Sequence, residues 1–377
     1  MSFYVVVEFA IFVSKLLDMA TSLITEIPTF VYSSHLRDIR LATDLDRLIV
    51  ALDDGETEVY RTTLYAFDGV VSIYDIRNVV ELYMLDYDRC YTAFTFYYFD
   101  ADGKELGAFN LNTIYCTHIM GGEPKIFSSY NFLTTLSSKR TSPHSTEYLS
   151  VLHEVEQGEM KAHCVFIDGD GNTLTSIIAI FDLKYEDVGF DTIQIQYDDI
   201  LYKLTEQGYI VDKLLAYSIT WGDRSFTFYV HNFIPDVTFT FRNCFNVLET
   251  VSFSAVTTSK TIVDRSVAVA RSLYSFYDQT TTKEYEVQSS ALTMDEAEWI
   301  EQLFISHCVR LGVASNFDSL PVVLITDSSC EISDSNADLN RVKFSWQFQD
   351  KVPHNLNAGS SASAGRIHQE QFTHQYQ

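Results

Sequence analysis

Apolar and polar positions alternate in short runs along most of the chain. Leu48-Ile49-Val50-Ala51-Leu52 leads into Asp53-Asp54-Gly55, after which Glu58-Val59-Tyr60 resumes. Leu64–Phe67 precedes Asp68-Gly69 and Val70–Tyr74 follows; the aromatic run Tyr91–Phe99 ends at Asp100-Ala101-Asp102-Gly103, and Leu106–Tyr115 returns. Asp-Gly and Asp-x-Asp-Gly steps admit the positive φ that tight hairpins need, so this grammar predicts antiparallel strands of a sandwich or barrel. It restarts at Glu147. His163–Ile167 enters Asp168-Gly169-Asp170-Gly171-Asn172, and Leu174–Phe181 follows. Phe94–Leu106 shows the same arrangement of strand, Asp-x-Asp-Gly turn and strand, which suggests a duplicated sandwich domain.

Further strands are expected on both sides of Trp221, at Leu215–Ile219 and Phe226–Val230. Val237–Phe241 alternates as a half-buried strand should, Lys283–Gln288 does so with charges outward, and Val322–Thr326 and Val342–Phe348 look like closing strands. One helix is signalled. Thr293-Met294-Asp295-Glu296 is a capping box, and Ala297, Ile300, Leu303, Phe304 and His307 fall on one helical face. Trp299 lies at the margin of that face; as a core-edge residue it would be buried, whereas an exposed Trp there would mark an assembly contact.

The expected fold class is mainly β: tandem antiparallel β-sandwich-like modules with a C-terminal α+β region containing one capped helix. Boundaries follow the composition: an N-terminal segment (1–29), a β-sandwich-like module (30–118), a Gly-, Pro-, Ser- and Thr-bearing linker or loop (119–146), a second such module (147–231), a C-terminal α+β domain (232–353) and a disordered tail (354–377). The N-terminal stretch is apolar, but Glu8, Lys15 and Asp18 interrupt it short of a membrane span, and it lacks the basic start of a secretory signal. Either translation starts at Met19 and residues 1–18 are not made, or the segment is an amphipathic helix docking on the body or a neighbour.

Charge narrows the function classes. The 377 residues carry 51 acidic and 26 basic side chains, a formal net of −25. Such a field repels phosphate backbones and anionic lipid, which argues against broad nucleic-acid or membrane-surface binding. The 23 Tyr and 27 Phe against 15 Gly and 6 Pro favour strands over low-complexity architecture. Cys90, Cys116, Cys164, Cys244, Cys308 and Cys330 contain no CxxC pair. They read as free thiols of a reducing compartment, with long-range disulfides as the alternative.

Candidate chemistry is sparse. Counting twelve from Asp100 or Asp168 lands on Leu111 or Ala179, so neither Asp-rich loop supplies the closing Glu of an EF-hand; plain hairpin turns are expected, with a weak surface Ca²⁺ site as runner-up. His163-Cys164 is the one adjacent pair of soft ligands, and on a strand the two point to opposite faces, giving a core thiol beside a solvent-side imidazole. GxSxG, HExxH, P-loop and GxGxxG segments are absent. A glycosidase, which needs only two carboxylates, stays open. No catalytic, cofactor-binding or metal-ligating residue is assigned, and most carboxylates are expected on solvated faces and turns.

Phe241-Arg242-Asn243-Cys244-Phe245-Asn246 through Thr250 resembles an Arg-Asn-x-Phe-Asn segment of structural proteins in tailed phages and prophages of Bacteroidetes hosts. The resemblance continues through Lys260–Arg265, Phe276-Tyr277-Asp278, Lys283–Val287, Thr293–Leu303, Val323–Asp327 and Asn340–Trp346, about a third of the chain. It implies a virion building block, a tail, baseplate or connector protein assembled in the host cytoplasm. Its partners would be copies of itself in a ring and other virion proteins, with no catalytic residues to carry over. The competing reading is a secreted or surface β-sandwich binding module that recognises glycans or host protein.

Overall fold

Both Asp-x-Asp-Gly steps close tight hairpins. Asp100 Oδ1 accepts the N–H groups of Asp102 and Lys104, each at 2.9 Å, and Asp168 Oδ1 accepts those of Asp170 and Asn172 at 3.0 and 2.8 Å. Gly103 and Gly171 take up the positive φ, 85° and 83°. The computed structural model describes residues 21–270, 273–314, 316–331 and 340–349. The segment 1–18, the Met19 start and the tail 354–377 lie outside the described residues.

The chain divides into two units, the first ending at Phe127 and the second beginning at Ser128. The first runs β1 (Thr21–Leu23), β2 (Phe30–Tyr32), β3 (Ile39–Thr43), β4 (Arg47–Asp53), β5 (Glu58–Tyr65), β6 (Val70–Ile73), helix α1 (Ile76–Asp86), β7 (Tyr91–Phe99) and β8 (Glu105–Ile114). Its strands form a five-stranded sheet, β2-β8-β7-β4-β5, and a three-stranded sheet, β1-β3-β6. Leu48, Val50 and Leu52 of β4 and Phe94, Phe96 and Tyr98 of β7 alternate inward, as period two requires, and pack with Ile76, Val80, Tyr83 and Met84 of α1. The turn after β4 is also an anchor. The Asp54 carboxylate accepts hydrogen bonds from Tyr83 Oη of α1 and, at 2.8 Å, from Arg89 Nη1. Burial would raise its pKa, but these bonds and the backbone N–H groups of Thr57 and Glu56 hold it well below the usual carboxylate range.

Helix α2 (Pro124–Tyr130) carries the chain across the boundary. There follow β9 (Ser138–Thr141), β10 (Thr146–His153), β11 (Glu156–Asp168), β12 (Thr173–Tyr185), β13 (Gly189–Gln196), helix α3 (Tyr197–Glu206), β14 (Val211–Trp221) and β15 (Arg224–Val230). Their sheets are β9-β15-β14-β11-β12 and β10-β13. This is the connectivity of β2–β8 repeated. β2 pairs parallel to β8 and β9 parallel to β15, β3 pairs with β6 and β10 with β13, and a helix joins β6 to β7 as another joins β13 to β14. The duplicated sandwich is therefore present, but the two Asp-x-Asp-Gly turns are not equivalent in it. Asp168 ends β11, whose counterpart is β4, whereas Asp100 follows β7, whose counterpart is β14.

The remaining strands, β16 (Val237–Arg242), β17 (Leu248–Phe253), β18 (Ala255–Ala270), β19 (Leu273–Ser289), β20 (Val309–Leu311), β21 (Val322–Glu331) and β22 (Arg341–Phe348), make an antiparallel sheet ordered β17-β16-β20-β21-β22-β19-β18, with helix α4 (Met294–Ile305). One apolar cluster runs from Phe132 to Trp346, so the second module and the C-terminal sheet share a core. β18 and β19 outrun the sheet. Among the described residues β19 pairs with β22 only over Glu284–Gln288, and from Thr261 and Lys283 outward the two strands pair with each other alone. Ten residues of β18 at about 3.4 Å each make a ribbon roughly 34 Å long.

Several expectations are corrected. The stretch 119–146 is more than a linker, since it contains α2 and the parallel edge strand β9. Helices α1 and α3 were not signalled as such by the short-strand grammar. Val237–Phe241 is buried on both faces rather than half-buried, because Thr240 Oγ1 donates to the Gly312 carbonyl at 2.7 Å and Thr238 pairs with Ser252 at 3.0 Å. The capping box is present, yet α4 ends at Ile305 and leaves His307 beyond it. Among the described residues no helix is long and apolar enough to cross a membrane.

Trp346→Ala, which empties a fully buried ring site, should lower the unfolding free energy by about 3–5 kcal/mol. Ile210→Ala, on a side chain 78% exposed, should shift it by about 0.5 kcal/mol or less. Chemical denaturation of the two variants checks this; equal midpoints would contradict the packing described.

Candidate functional site

β9 brings two cations into the second unit. Successive side chains of a strand face opposite ways, so Lys139 and Arg140 serve different partners. Lys139 is 8% exposed. Its Nζ donates to the Thr250 carbonyl of β17 at 2.8 Å, forms an ion pair with Glu147 of β10 and lies 5.2 Å from the centroid of the Trp299 ring on α4. Glu147 Oε1 accepts from Thr141 Oγ1 at 2.7 Å and Oε2 from Thr250 Oγ1 at 2.8 Å. Arg140 makes a two-pronged bond to Glu296, Nε to Oε1 at 2.8 Å and Nη2 to Oε2 at 2.7 Å. Glu296 meanwhile completes the capping box, accepting from the Thr293 N–H at 3.0 Å.

A second acid lies deeper. Glu249 accepts from Asn243 Nδ2 at 2.6 Å and from Trp299 Nε1. Burial pushes its carboxyl above the usual range, against the lowering effect of the Lys139 charge and of the bonds from Asn243, Thr134 and Trp299. Glu296 goes the other way. Burial raises it, but the Arg140 bond, the Thr293 N–H and the Arg140 charge together bring it below its ordinary 4.5. Over this cluster opens a cavity of about 280 Å³ whose walls include Lys139, Glu147, Glu296, Trp299, His231 and Ser252.

The segment Arg242–Asn246 gains a physical meaning here. Asn246 holds φ 60°, and Asn243 Oδ1 accepts the N–H groups of Phe245 and Val247 at 2.9 and 3.3 Å, closing the turn from β16 to β17. The same Asn243 side chain donates to the Leu133 carbonyl at 2.7 Å as well as to Glu249. Segments 242–250 and 293–303 thus meet through Glu249–Trp299 and through the Cys244 N–H on Gln302 Oε1 at 3.0 Å.

Of the residues singled out from sequence, His163 is exposed and Cys164 is 1% exposed on the opposite face of β11. Burial pushes the Cys164 thiol up to about 12, far from the thiolate a nucleophile needs. All six cysteines are free thiols. Asp100 and Asp168 use their carboxylates on turn N–H groups, and no group of three metal-ligating side chains occurs among the described residues. Trp221, Trp299 and Trp346 are all buried. The sequence reading missed Lys139, Arg140, Glu147 and Glu249. Its one available signal was Glu249 itself, an acid set inside the strand-like run Val247–Val251.

No family model matches the chain, and no curated protein does. Among solved structures, the crystal structure of the calcium binding domain CBD12 of CALX1.1 aligns at 12% identity over 53% of this chain and 77% of that one, with a TM-score of 0.16. At that score the likeness carries no argument.

Two tests follow from the cluster. Lys139→Met strands the buried Glu147 charge and should cost about 3–5 kcal/mol of stability, much of which Lys139→Met with Glu147→Leu should restore; a double-mutant denaturation cycle measures the coupling. Because the folded Glu296 pKa is depressed, its stabilising effect is present above about pH 4.5 and lost as pH falls through the folded value. Glu296→Gln should therefore flatten the acid limb of the stability curve below pH 4.5, and an unchanged limb would refute the assignment.

Proposed function

We propose that the chain is a non-catalytic structural and assembly protein of a phage particle, a tail, baseplate or connector component. The observation that carries this reading is the β18–β19 ribbon. An isolated two-stranded hairpin is marginal in water, and this one extends roughly 34 Å past the strand that supports it. Such an element gains stability by lying against another surface, and its open edges offer unpaired N–H and C=O groups to it. The last-third resemblance to phage structural proteins agrees, since part of it falls on the ribbon itself, at Lys260–Arg265 and Phe276–Asp278.

The cavity of the second unit supports the reading from the other side. Lys139, Glu147, Arg140 and Glu296 are already committed to one another and to backbone groups, so they act as cross-braces between β9, β10, β17 and α4. A general acid or base needs a lone pair or proton that substrate can reach. Free thiols fit assembly in a reducing cytoplasm.

Negative-stain microscopy of the purified full chain tests the reading. Rings or stacked assemblies are expected. Scattered monomers that bind a glycan array would replace it with the secreted or surface binding module.

A further inference from the structure

The second module shows what seats on one face of this fold. The hollow beside the parallel strand β9, the start of β10 and the residues after β15 is walled by later elements of the same chain: β17 supplies Thr250 to Phe253, and helix α4 supplies Trp299 and Ile300. Val251, Phe253, Trp299 and Ile300 belong to one apolar cluster with residues of β10 and β15. In the first module the equivalent place lies beside β2, the start of β3 and the residues after β8, and it is a groove of about 960 Å³. Ile27, Phe30, Val31, Leu36, Ile39 and Ile119 make its walls apolar, and Ile119 is 90% exposed. Its charged lining is balanced, Glu26 and Glu123 against Arg37 and Lys125, so it suits an apolar occupant rather than an ion.

The chain carries such an occupant close by. Twelve of the sixteen residues 3–18 are apolar. Counted at about 100° per residue, Glu8, Ser14, Lys15 and Asp18 fall within one arc of roughly 120°, and Val6, Phe9, Val13 and Leu16 fall opposite it. Two residues separate this stretch from β1, which pairs with β3, and Ile39 at the start of β3 lines the groove. The groove wall itself begins at Thr25, four residues after Thr21. So short a tether gives the stretch an effective concentration in roughly the millimolar range, and burial of a few large side chains is then enough to hold it.

We propose that the apolar stretch 3–18 docks in the β2-side groove of its own first unit, with its Val6–Phe9–Val13–Leu16 side toward the Ile119 wall. It is to the first module what α4 is to the second, an in-chain layer beside the parallel edge strand. The contact lies within one copy and goes beyond the assembly reading, which does not require it. Apolar burial drives it, so salt does not weaken it.

Hydrogen exchange of the full chain, beside a chain that begins at Met19, tests this. The loop amides of 26–29 and 119–123 should exchange roughly tenfold or more faster in the shortened chain. The difference should be the same at low and high protein concentration and at low and high NaCl. Phe9→Glu and Ile119→Glu should each reproduce the fast exchange. Ser14→Glu on the polar arc and Ile210→Glu on the other unit should leave the protection intact. Thermal melts establish that each variant is folded. Equal exchange in the two chains overturns the docking. Protection that grows with concentration puts a second copy's stretch in the groove and overturns the same-chain contact. If only one of Phe9→Glu and Ile119→Glu removes the protection, stretch and groove are not partners and the assignment is wrong. A native protein whose intact mass begins at Met19 lacks the stretch and overturns the proposal. Each of these failures leaves the assembly reading to be judged by microscopy.

Discussion

An ammonium group in the interior of a strand-rich body makes demands that apolar packing does not. Removing either partner of a buried ion pair typically costs roughly 3–5 kcal/mol, because the remaining charge has neither water nor counter-ion. Lys139 escapes that cost only if β10 presents Glu147, β17 presents the Thr250 carbonyl and α4 presents the Trp299 face at the same time. Arg140 adds the same condition on the other side of β9 through Glu296. A four-residue strand with little apolar surface of its own is thereby fixed, and with it the junction between the second module and the C-terminal sheet. Asp54 does comparable work in the first unit, where Tyr83 and Arg89 bind the turn after β4 to α1 and the segment behind it.

The hairpins were legible because their signal is local. Asp-Gly steps demand positive φ, and period-two runs flank them, so β4–β5, β7–β8 and β11–β12 could be placed from residues alone. The α4 capping box was legible for the same reason. β9 was not. Its four residues sit among Ser, Thr and Pro, and what makes them a strand is a parallel partner almost ninety positions away together with the bonds of Lys139 and Arg140. Helix α1 does bury Ile76, Val80, Tyr83 and Met84 at helical spacing, but neighbouring strand grammar obscured an eleven-residue pattern.

The polar cluster was the least legible part. A strongly acidic composition leads to the expectation that carboxylates face water, yet Glu147, Glu249 and Glu296 are each less than 9% exposed. Composition fixes how many acids there are, while burial depends on which cations the tertiary fold brings to them. Even the duplication shows in the sequence only through its less informative feature. The two Asp-x-Asp-Gly turns look alike because both close tight hairpins, whereas the repeat itself lies in the sheet order, with the turns at non-equivalent places.

Converging titratable groups around a cavity invite a catalytic interpretation, and the decisive question is whether any of them is uncommitted. Glu147 has both oxygens engaged, Arg140 and Glu296 are bound in two places, and Glu249 is held by Asn243 and Trp299. Using any of these groups on a substrate would first break a buried bond, and leaving a buried charge unpaired is what the cluster is built to prevent. The ribbon is the reverse case, since its cross-strand partners satisfy only one edge of each strand beyond Thr261 and Lys283. In this cluster the charged groups are committed to one another, whereas along the ribbon one edge of each strand has no strand partner among the described residues.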